Sequence, residues 1–372
     1  MNVNLKLILV AGARPNFMKI APLVRAIEKH NTLAKDNELE IESIIVHTGQ
    51  HYDLTMSEKF FQELDLPEPK INLEVGSATH AVQTGEIMIR FEKACLDEKP
   101  DWVIVVGDVN STMACAIVAV KLGIKVAHVE AGLRSFDRTM PEEINRLVTD
   151  AVSDLLFTPS DDADENLFRE GISREKIRRV GNIMIDTLLG NLERARSRKT
   201  WEKFGVEQRN YAFVTLHRPS NVDDKKVISK IIGSLAKLCV RMPVVFPVHP
   251  RTRKHLETFG LLDQAESVKD LKLTQPIGYP DTICLVDKAR FVLTDSGGLQ
   301  EETTVLGVPC LTLRPNTERP ITIHQGTNKL TSLEALEEDF DYVLNGFRPL
   351  GKIPDLWDGK TGERIIQILV SS

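Results

Sequence analysis

The chain has 372 residues and carries 47 Lys and Arg against 53 Asp and Glu, a formal net charge of −6 at pH 7. This length suggests two domains, and 42% apolar with 27% charged residues is ordinary for a soluble globular protein. The acidic balance disfavours a general nucleic-acid binder, which relies on clustered Lys and Arg, but not a nucleotide ligand. No apolar run approaches the roughly 20 residues that cross a bilayer, so we expect no membrane partner.

Two features favour a cytoplasmic location. The apolar start, from Lys6 to Ala13, superficially resembles a short signal sequence. Arg14, Pro15 and a helical pattern follow it, which is typical of a buried strand that runs into a loop. The five cysteines are odd in number and widely spaced, a pattern of neither a disulfide framework nor a zinc site. We therefore expect a reducing compartment and no metal.

Short β-branched runs alternate with longer stretches of helical periodicity along the whole chain. The predicted strands are Lys6–Val10, Ile41–Val46, Trp102–Val106, Lys125–Val129, Leu155–Phe157, Tyr211–Leu216, Val244–Val248, Phe291–Thr294 and Cys310–Leu313. This alternation predicts an α/β protein with two doubly wound, Rossmann-like domains that face each other across a cleft. We place the N-terminal domain at 1–185 and the C-terminal domain at 186–372, with the alternative that the last helix packs back on the first domain. Ligands of such domains bind beyond the carboxyl ends of the strands.

The first strand is followed by a loop and a helix start that carry two cations. The segment reads Gly12-Ala13-Arg14-Pro15-Asn16-Phe17-Met18-Lys19. Pro15 suits the first helical position, and Arg14 and Lys19 lie near a helix N-terminus, where anions are favoured. Exposed cations on a helix start are the alternative. No G-x-G-x-x-G motif follows, so a dinucleotide cofactor is unsupported.

Three carboxylates at strand ends and helix starts are candidates for proton transfer. Asp108 follows the third strand and either caps the next helix or acts as an acid, a base or a hydroxyl ligand. Glu130 follows an apolar run, where burial demands a partner or raises the pKa, and Arg134 is its expected ion-pair partner. Glu142 lies in the first turn of a helix beside Glu143, where the helix dipole alone would explain both.

Three strand ends of the second half carry cations or exposed backbone. His217-Arg218 and His249-Pro250-Arg251-Thr252 each end a strand, which indicates either anion binding or ordinary polar turns. In Asp295-Ser296-Gly297-Gly298, a strand gives way to a helix start whose backbone N–H groups can bind phosphate. Glu302, about one turn into that helix, can accept hydrogen bonds from a ribose. A tight turn with a serine cap is the alternative.

Together these motifs resemble the non-hydrolysing UDP-N-acetylglucosamine 2-epimerase family, which has the two-domain glycosyltransferase-B fold. The matching segments run in order over most of the chain: Ala13-Arg14-Pro15, Lys19, Gly49-Gln50-His51, Gly107-Asp108, His128-Val129-Glu130-Ala131-Gly132-Leu133-Arg134, Pro141-Glu142-Glu143-Ile144-Asn145-Arg146, His217-Arg218, Asp295-Ser296-Gly297-Gly298-Leu299-Gln300-Glu301-Glu302 and Thr317-Glu318-Arg319-Pro320. Each segment is weak alone, and the ordered set is highly specific.

The resemblance implies an isomerase that interconverts UDP-N-acetylglucosamine and UDP-N-acetylmannosamine through loss and return of UDP, without a nicotinamide or other cofactor. It implies proton transfer by Asp108, Glu130 and Glu142, and contact of Lys19 and His217 with the reacting sugar and diphosphate. Further residues that it implicates in substrate binding are Arg14, Ser296, Gly297 and Gly298 for phosphate, Glu302 for ribose, and Arg319 for diphosphate or sugar. A homodimer is usual in the family.

The sequence departs from many bacterial relatives at two places, which leaves alternatives open. They carry His-Leu-Asn-Pro where this chain has His249-Pro250-Arg251-Thr252. The tetrapeptide of this chain also resembles the corresponding segment of epimerases that act on UDP-2,3-diacetamido-glucuronate. They place an aromatic residue for uracil near Thr282, for which Tyr279 is a substitute. Activation by a second UDP-N-acetylglucosamine at Gln50, His51 and His249 is a hypothesis. A glycosyltransferase of the same fold and a non-catalytic nucleotide-sugar binder are the competing functions.

Overall fold

The structure is a computed structural model that describes residues 4–34, 39–49, 64–346 and 351–372, apart from the side chains of Asn4 and Arg14. The strands are β1 Asn4–Ala11, β2 Glu40–His47, β3 Ile71–Asn72, β4 Trp102–Val106, β5 Lys125–Val129, β6 Leu155–Thr158, β7 Ile177–Arg179, β8 Ala212–Thr215, β9 Val244–Pro247, β10 Leu271–Thr274, β11 Phe291–Thr294, β12 Cys310–Leu313 and β13 Asn328–Thr331. The α-helices are α1 Arg14–Leu33, α2 His80–Glu98, α3 Asn110–Lys121, α4 Pro141–Val152, α5 Asp161–Arg169, α6 Ile183–Ser197, α7 Thr200–Lys203, α8 Pro219–Val222, α9 Lys225–Cys239, α10 Pro250–Thr258, α11 Leu262–Glu266, α12 Tyr279–Lys288, α13 Gly297–Leu306, α14 Ile321–His324, α15 Leu336–Leu344 and α16 Thr361–Val370.

The chain divides into two compact units, Met1–Thr187 with Asp355–Ser372, and Leu188–Pro354. The first boundary lies close to the predicted one at 185. The last helix, α16, belongs to the first unit, in agreement with the alternative that it packs back on the first domain rather than with the bounds 186–372. There the Asp186 carboxylate accepts hydrogen bonds from the backbone N–H groups of Thr361 (3.1 Å) and Gly362 (2.8 Å), where α16 begins. Ile365, Ile366 and Leu369 of α16 also lie in the core of the first unit, so the chain end is held there by both kinds of contact.

The first unit is built on a parallel sheet with the strand order β3-β2-β1-β4-β5-β6-β7. Side chains of β1 point alternately to its two faces, as the strand period of two requires. Leu7 and Leu9 pack with residues of α1 and α16 on one face, and Ile8 and Val10 pack with residues of α2 and α3 on the other. The sheet is therefore buried on both faces, and its inner strands are apolar throughout.

The second unit repeats this architecture with the order β10-β9-β8-β11-β12-β13, again parallel. One face of the sheet is covered by the apolar side of α9, with Ile228, Ile231, Ile232 and Leu235 in the core. These residues recur every three or four positions, as expected of a helix that covers a sheet. The α/β prediction with two doubly wound sheets is confirmed. No helix in the described ranges has both the length and the apolarity for a membrane crossing.

Both sheets have a switch point, where the strand order reverses and a crevice opens at the carboxyl ends of two neighbouring strands. In the first sheet it lies between β1 and β4, and in the second between β8 and β11. The loops after these four strands carry Arg14, Asp108, His217 and Ser296, all predicted functional residues. The topology therefore brings these loops together in pairs.

Candidate active site

The switch point of the first unit is held together by one buried amide. Asn16 Oδ1 accepts a hydrogen bond from the N–H of Ala13, directly after the loop glycine that follows β1 (2.8 Å), and Asn16 Nδ2 donates to the carbonyl of Val106, the last residue of β4 (2.8 Å). Both bonds are buried, so they fix the start of α1 against the end of β4. Arg14 begins α1 here, but its side chain lies outside the described part of the structure.

A buried ion pair lies beside this switch point. Lys19 Nζ pairs with Glu130 Oε2, and the two side chains are 10% and 3% exposed. Gly107 has a φ of +68°, which favours glycine, and a Cβ there would lie 2.6 Å from Lys19 Nζ, so a side chain would displace the lysine from its position. Glu130 itself has a φ of +70°, a left-handed conformation that costs a non-glycine residue about 1–2 kcal/mol. Surrounding contacts must hold Glu130 in this conformation, and such strain concentrates at functional sites.

The expected pairing of Glu130 with Arg134 is wrong. The Arg134 guanidinium binds both Glu170 oxygens at 2.7 Å and contacts Asp150 Oδ2 at 2.7 Å. The carboxylates of Glu170 and Asp150 raise the pKa of Arg134 although burial opposes the charge. Arg134 therefore neutralises a different pair of acids, and Lys19, far away in sequence, neutralises Glu130.

The two neighbouring acidic residues in the first turn of α4 have different environments. Arg146 bridges Asp108 Oδ2 (2.5 Å) and Glu143 Oε2 (2.7 Å). Glu143 also accepts hydrogen bonds from the N–H groups of Ser135 and Phe136, and these donors with Arg146 hold the pKa of Glu143 below its ordinary value against the effect of burial. Glu142, its neighbour, is exposed. Glu143 is thus fixed in a structural network, whereas Glu142 projects outward and is accessible to a ligand.

In the second unit, Asp295 is the counterpart of Asn16 at the switch point between β8 and β11. Its carboxylate accepts hydrogen bonds from the N–H groups of His217 (2.9 Å) and Arg218 (2.8 Å) and from Asn221 Nδ2 (3.0 Å). It also lies 3.1 Å from His217 Nδ1. Burial opposes its charge, but His217 and the other donors hold the pKa of Asp295 below its ordinary value. Asp295 therefore sets the orientation of the His217 ring.

His249 lies next to His217, with ring centroids 5.3 Å apart. Its Nδ1 accepts a hydrogen bond from the N–H of Arg251 and caps α10. Burial, followed by the neighbouring His217, lowers the pKa of His249. The two predicted histidines are thus brought together, and His249 has a structural role in addition.

The predicted phosphate-binding segment begins α13, with Ser296 as its N-cap and Gly297 and Gly298 in its first turn. The Ser296 side chain makes no capping hydrogen bond. A Cβ at Gly297 would lie 2.6 Å from Arg319 Nη1, so Gly297 is needed for the close approach of Arg319. Arg319 itself is buried between Glu301 (2.7 Å) and Glu318. The backbone N–H groups of this helix start suit an anion, and they lie beside a guanidinium whose charge Glu301 and Glu318 balance.

Farther along α13, the Tyr279 hydroxyl donates a hydrogen bond to Glu302 Oε1 over 2.8 Å, and both residues are buried. Burial raises the pKa of Glu302 to about 8, with a smaller opposing effect of Tyr279. Burial and Glu302 also raise the pKa of Tyr279. The role of Glu302 toward a ribose and of Tyr279 toward uracil stay predictions.

The model of the UDP-N-acetylglucosamine 2-epimerase family matches residues 32–370. The chain belongs to this family. A UDP-N-acetylglucosamine 2-epimerase of Methanocaldococcus jannaschii is 45% identical over 98% of this chain and 99% of its own. The solved structure of the M. jannaschii enzyme with UDP-GlcNAc and UDP has a TM-score of 0.89 and covers 99% of this chain and 100% of its own. A UDP-2,3-diacetamido-2,3-dideoxy-D-glucuronate 2-epimerase of Pseudomonas aeruginosa is 42% identical over 88% of both chains.

Family membership makes the protein an isomerase and confirms the resemblance given by the motifs. Sequence reasoning assigned no role to Asn16, Arg146, Asp150 and Asp295, which hold the predicted residues in place. The signal that could have found them is that each is a polar residue in a segment whose pattern predicts a helix or the end of a strand. Gln50 and His51 fall outside the described residues. Within the described ranges, no group of His, Cys, Asp and Glu side chains is arranged to hold a metal ion.

The raised pKa of Glu302 predicts a pH-dependent stability. In the folded protein without ligand the protonated form of Glu302 is favoured. Its contribution to the free energy of unfolding is therefore fully present below a pH of about 4.5 and is lost as the pH rises through about 8. Glu302→Gln has no such proton to lose. We expect the unfolding free energy of the variant, relative to the wild type, to increase over this range in denaturant titrations.

The matched control is Glu207→Gln, which changes an exposed glutamate of the same unit. Its stability should run parallel to the wild type at every pH. A Glu302→Gln curve that is also parallel to the wild type contradicts the assignment of the raised pKa.

Proposed function

We propose that this protein catalyses the reversible C2 epimerisation of UDP-N-acetylglucosamine to UDP-N-acetylmannosamine. The observation that carries the proposal is the buried Lys19–Glu130 pair at the switch point of the first unit, next to the Asp108 loop. It supports proton transfer because a carboxylate in a strained backbone conformation and a second carboxylate flank the same glycine, Gly107. Membership in the 2-epimerase family supports the same reaction type.

The chemistry explains why two acid–base groups are needed. C2 of the amino sugar has no adjacent carbonyl, so simple deprotonation would be prohibitively slow. In the proposed reaction a carboxylate takes the C2 proton, the C1–O bond to UDP breaks, and a C1=C2 double bond forms in 2-acetamidoglucal. A carboxylic acid then returns a proton to C2 on the other face as a UDP oxygen re-forms the bond to C1. UDP must therefore be retained while it is detached.

Asp108, Glu130 and Glu142 are the proposed proton-transfer groups, and each has a distinct environment. Glu130 is paired with Lys19, Asp108 is held by Arg146, and Glu142 is exposed. Lys19 can stabilise the negative charge of the departing diphosphate, as the proposal requires.

The second unit is proposed to hold UDP. The N-terminus of α13, with Ser296, Gly297 and Gly298, would bind phosphate oxygens through backbone N–H groups and the helix dipole. Arg14, His217 and Arg319 are proposed to contact the diphosphate. Glu302 would accept hydrogen bonds from the ribose, and Tyr279 would lie toward the uracil.

A UDP-2,3-diacetamido-glucuronate substrate is the second candidate, because the P. aeruginosa relative is 42% identical. The sequence feature that favours it is His249-Pro250-Arg251-Thr252. In the structure, Arg251 pairs with Asp223 (2.5 Å), and the Thr252 hydroxyl donates to the carbonyl of Leu216 (2.6 Å). These side chains stabilise the second unit through internal contacts. We therefore give the tetrapeptide little weight and retain UDP-N-acetylglucosamine as the proposed substrate.

A homodimer is proposed on the family resemblance. Exposed apolar side chains of α2 support it, since Val82, Ile89 and Leu96 lie seven residues apart and are 55%, 68% and 57% exposed. This spacing places them on one face of the helix. A second copy of the chain would cover this face.

Activation by a second UDP-N-acetylglucosamine, with Gln50, His51 and His249 as its ligands, is also proposed. We expect the consumption of UDP-N-acetylmannosamine to be sigmoidal, because product that accumulates would activate the enzyme. A trace of UDP-N-acetylglucosamine should make the curve hyperbolic. Hyperbolic kinetics without any activator contradict this regulation but not the epimerisation.

Incubation of the protein with UDP-N-acetylglucosamine alone in D₂O tests the reaction itself. We expect both C2 epimers to appear with deuterium at C2, because the abstracted proton exchanges with solvent before it returns. Mass spectrometry and NMR measure both. If neither deuterium exchange nor a second epimer is observed, the proposed function is falsified, and a nucleotide-sugar binder remains. If UDP is released only when an acceptor is added, the protein is a glycosyltransferase. The same assay with UDP-2,3-diacetamido-glucuronate compares the two candidate substrates.

Substitution of the proton-transfer groups separates catalysis from binding. We expect Asp108→Asn and Glu130→Gln to lower kcat by about 100-fold or more, since general acid–base catalysis contributes about 10²–10⁴. Affinity for UDP, measured by calorimetry, should change little. Glu165→Gln, on an exposed part of α5, is the control with wild-type turnover. Wild-type turnover in either site variant would remove that residue from the mechanism.

A further inference from the structure

A fully buried histidine lies directly behind the loops of Asp108 and Glu130. His128, on β5, is 0% exposed, and both of its ring nitrogens have partners. Nε2 lies 2.8 Å from the carbonyl oxygen of Gly107, and Nδ1 lies 2.6 Å from Asp150 Oδ1. A carbonyl oxygen can only accept a hydrogen bond, so Nε2 must carry a hydrogen. The protonation of Nδ1 therefore depends on the state of Asp150.

The surroundings of Asp150 require its ionised form. Its Oδ2 accepts hydrogen bonds from the N–H of Gly132 (3.1 Å) and contacts Arg134 Nη1 (2.7 Å). Burial opposes the charge, but His128 and Arg134 hold the pKa of Asp150 below its ordinary value. An ionised carboxylate only accepts hydrogen bonds, so Nδ1 must carry a hydrogen as well. The cluster is then neutral in total, because Glu170 balances the second positive charge.

We propose that both ring nitrogens of His128 carry hydrogens and that His128 and Asp150 are positioning residues for the proton-transfer carboxylates. This inference rests on the proposed function for its second part. The pair binds one backbone group of each loop: the carbonyl of Gly107, which precedes Asp108, and the N–H of Gly132, which follows Glu130 by two residues.

Both loops need such support because of their backbone. Gly107 and Gly132 have φ values of +68° and +80°, and a Cβ at Gly132 would lie 2.4 Å from the carbonyl oxygen of Ala163. Glu130 is held in a left-handed conformation between them. On α4, Asp150 lies one turn after Arg146, which binds the Asp108 side chain. One buried face of one helix thus fixes both loops, and charge-assisted hydrogen bonds make this contact stiff.

Asp150→Asn keeps the shape of the side chain and removes its charge. An amide can donate to Nδ1, so His128 becomes neutral and its hold on the Gly107 carbonyl weakens. We expect kcat to fall about 10–100-fold, the range for the loss of an outer partner that orients a reactive group. KM and UDP affinity should stay near wild type, because the change affects the support of the Asp108 and Glu130 loops and none of the residues proposed to bind UDP.

The matched control is Asp154→Asn. Asp154 is exposed and accepts a hydrogen bond from the N–H of Val126 (2.9 Å), at the other end of β5. The same change of charge close to the same helix should leave kcat at the wild-type value.

Neutron diffraction of the wild-type protein at neutral pH tests the protonation state without a variant. We expect hydrogens on both ring nitrogens of His128. A bare Nδ1 would overturn the proposal, and so would a folded Asp150→Asn protein with wild-type kcat. If the Asp150→Asn protein does not fold, the hydrogens that neutron diffraction locates on His128 test the proposal. A wild-type protein without epimerase activity would refute the proposed function, whereas the imidazolium would still be found.

Discussion

The structure depends on the pairing of charges that are buried at the carboxyl ends of the strands. An unpaired buried ion is so costly that removal of one partner destabilises a protein by about 3–5 kcal/mol. Two buried acids of the first unit have cationic partners from other segments: Glu130, directly after β5, has Lys19, and Asp150, on α4, has His128 and Arg134. Since these partners come from different elements, the pairing also fixes the loops on which they lie. The same contacts that make burial tolerable therefore set the geometry of the candidate site.

The two units use different side chains to join the strand ends at their switch points. Two strands that are neighbours in the sheet but distant in sequence must present their loops at a constant separation. In the first unit the neutral amide of Asn16 joins the ends of β1 and β4, and in the second the carboxylate of Asp295 joins the ends of β8 and β11. The carboxylate has a further effect, because it also orients the ring of His217. Both switch points thus have a fixed backbone, and in the second unit the same carboxylate also fixes a side chain.

Burial alone does not determine the charge of these acids. Asp295 and Glu302 follow the same strand and are both buried, yet the pKa of Asp295 lies below its ordinary value and that of Glu302 is raised to about 8. Asp295 receives two backbone N–H groups and the side chains of His217 and Asn221, whereas Glu302 receives the hydroxyl of Tyr279. The number and charge of the donors decide which acid stays ionised.

The pattern of apolar and polar residues was enough to predict the α/β class, the inner strands and the places where polar residues accumulate. The inner strands are apolar on both faces, so β1, β4, β5 and β11 could be read directly. The four strands that sequence reasoning missed, β3, β7, β10 and β13, are the edges of the two sheets, where exposure permits polar residues such as those of Ile177–Arg179. The pairing of charges, by contrast, follows from the three-dimensional arrangement of the chain. Arg134 is the nearest cation after Glu130 in sequence, but the partner of Glu130 is Lys19, because a parallel sheet brings the ends of distant strands together and pairing follows distance in space.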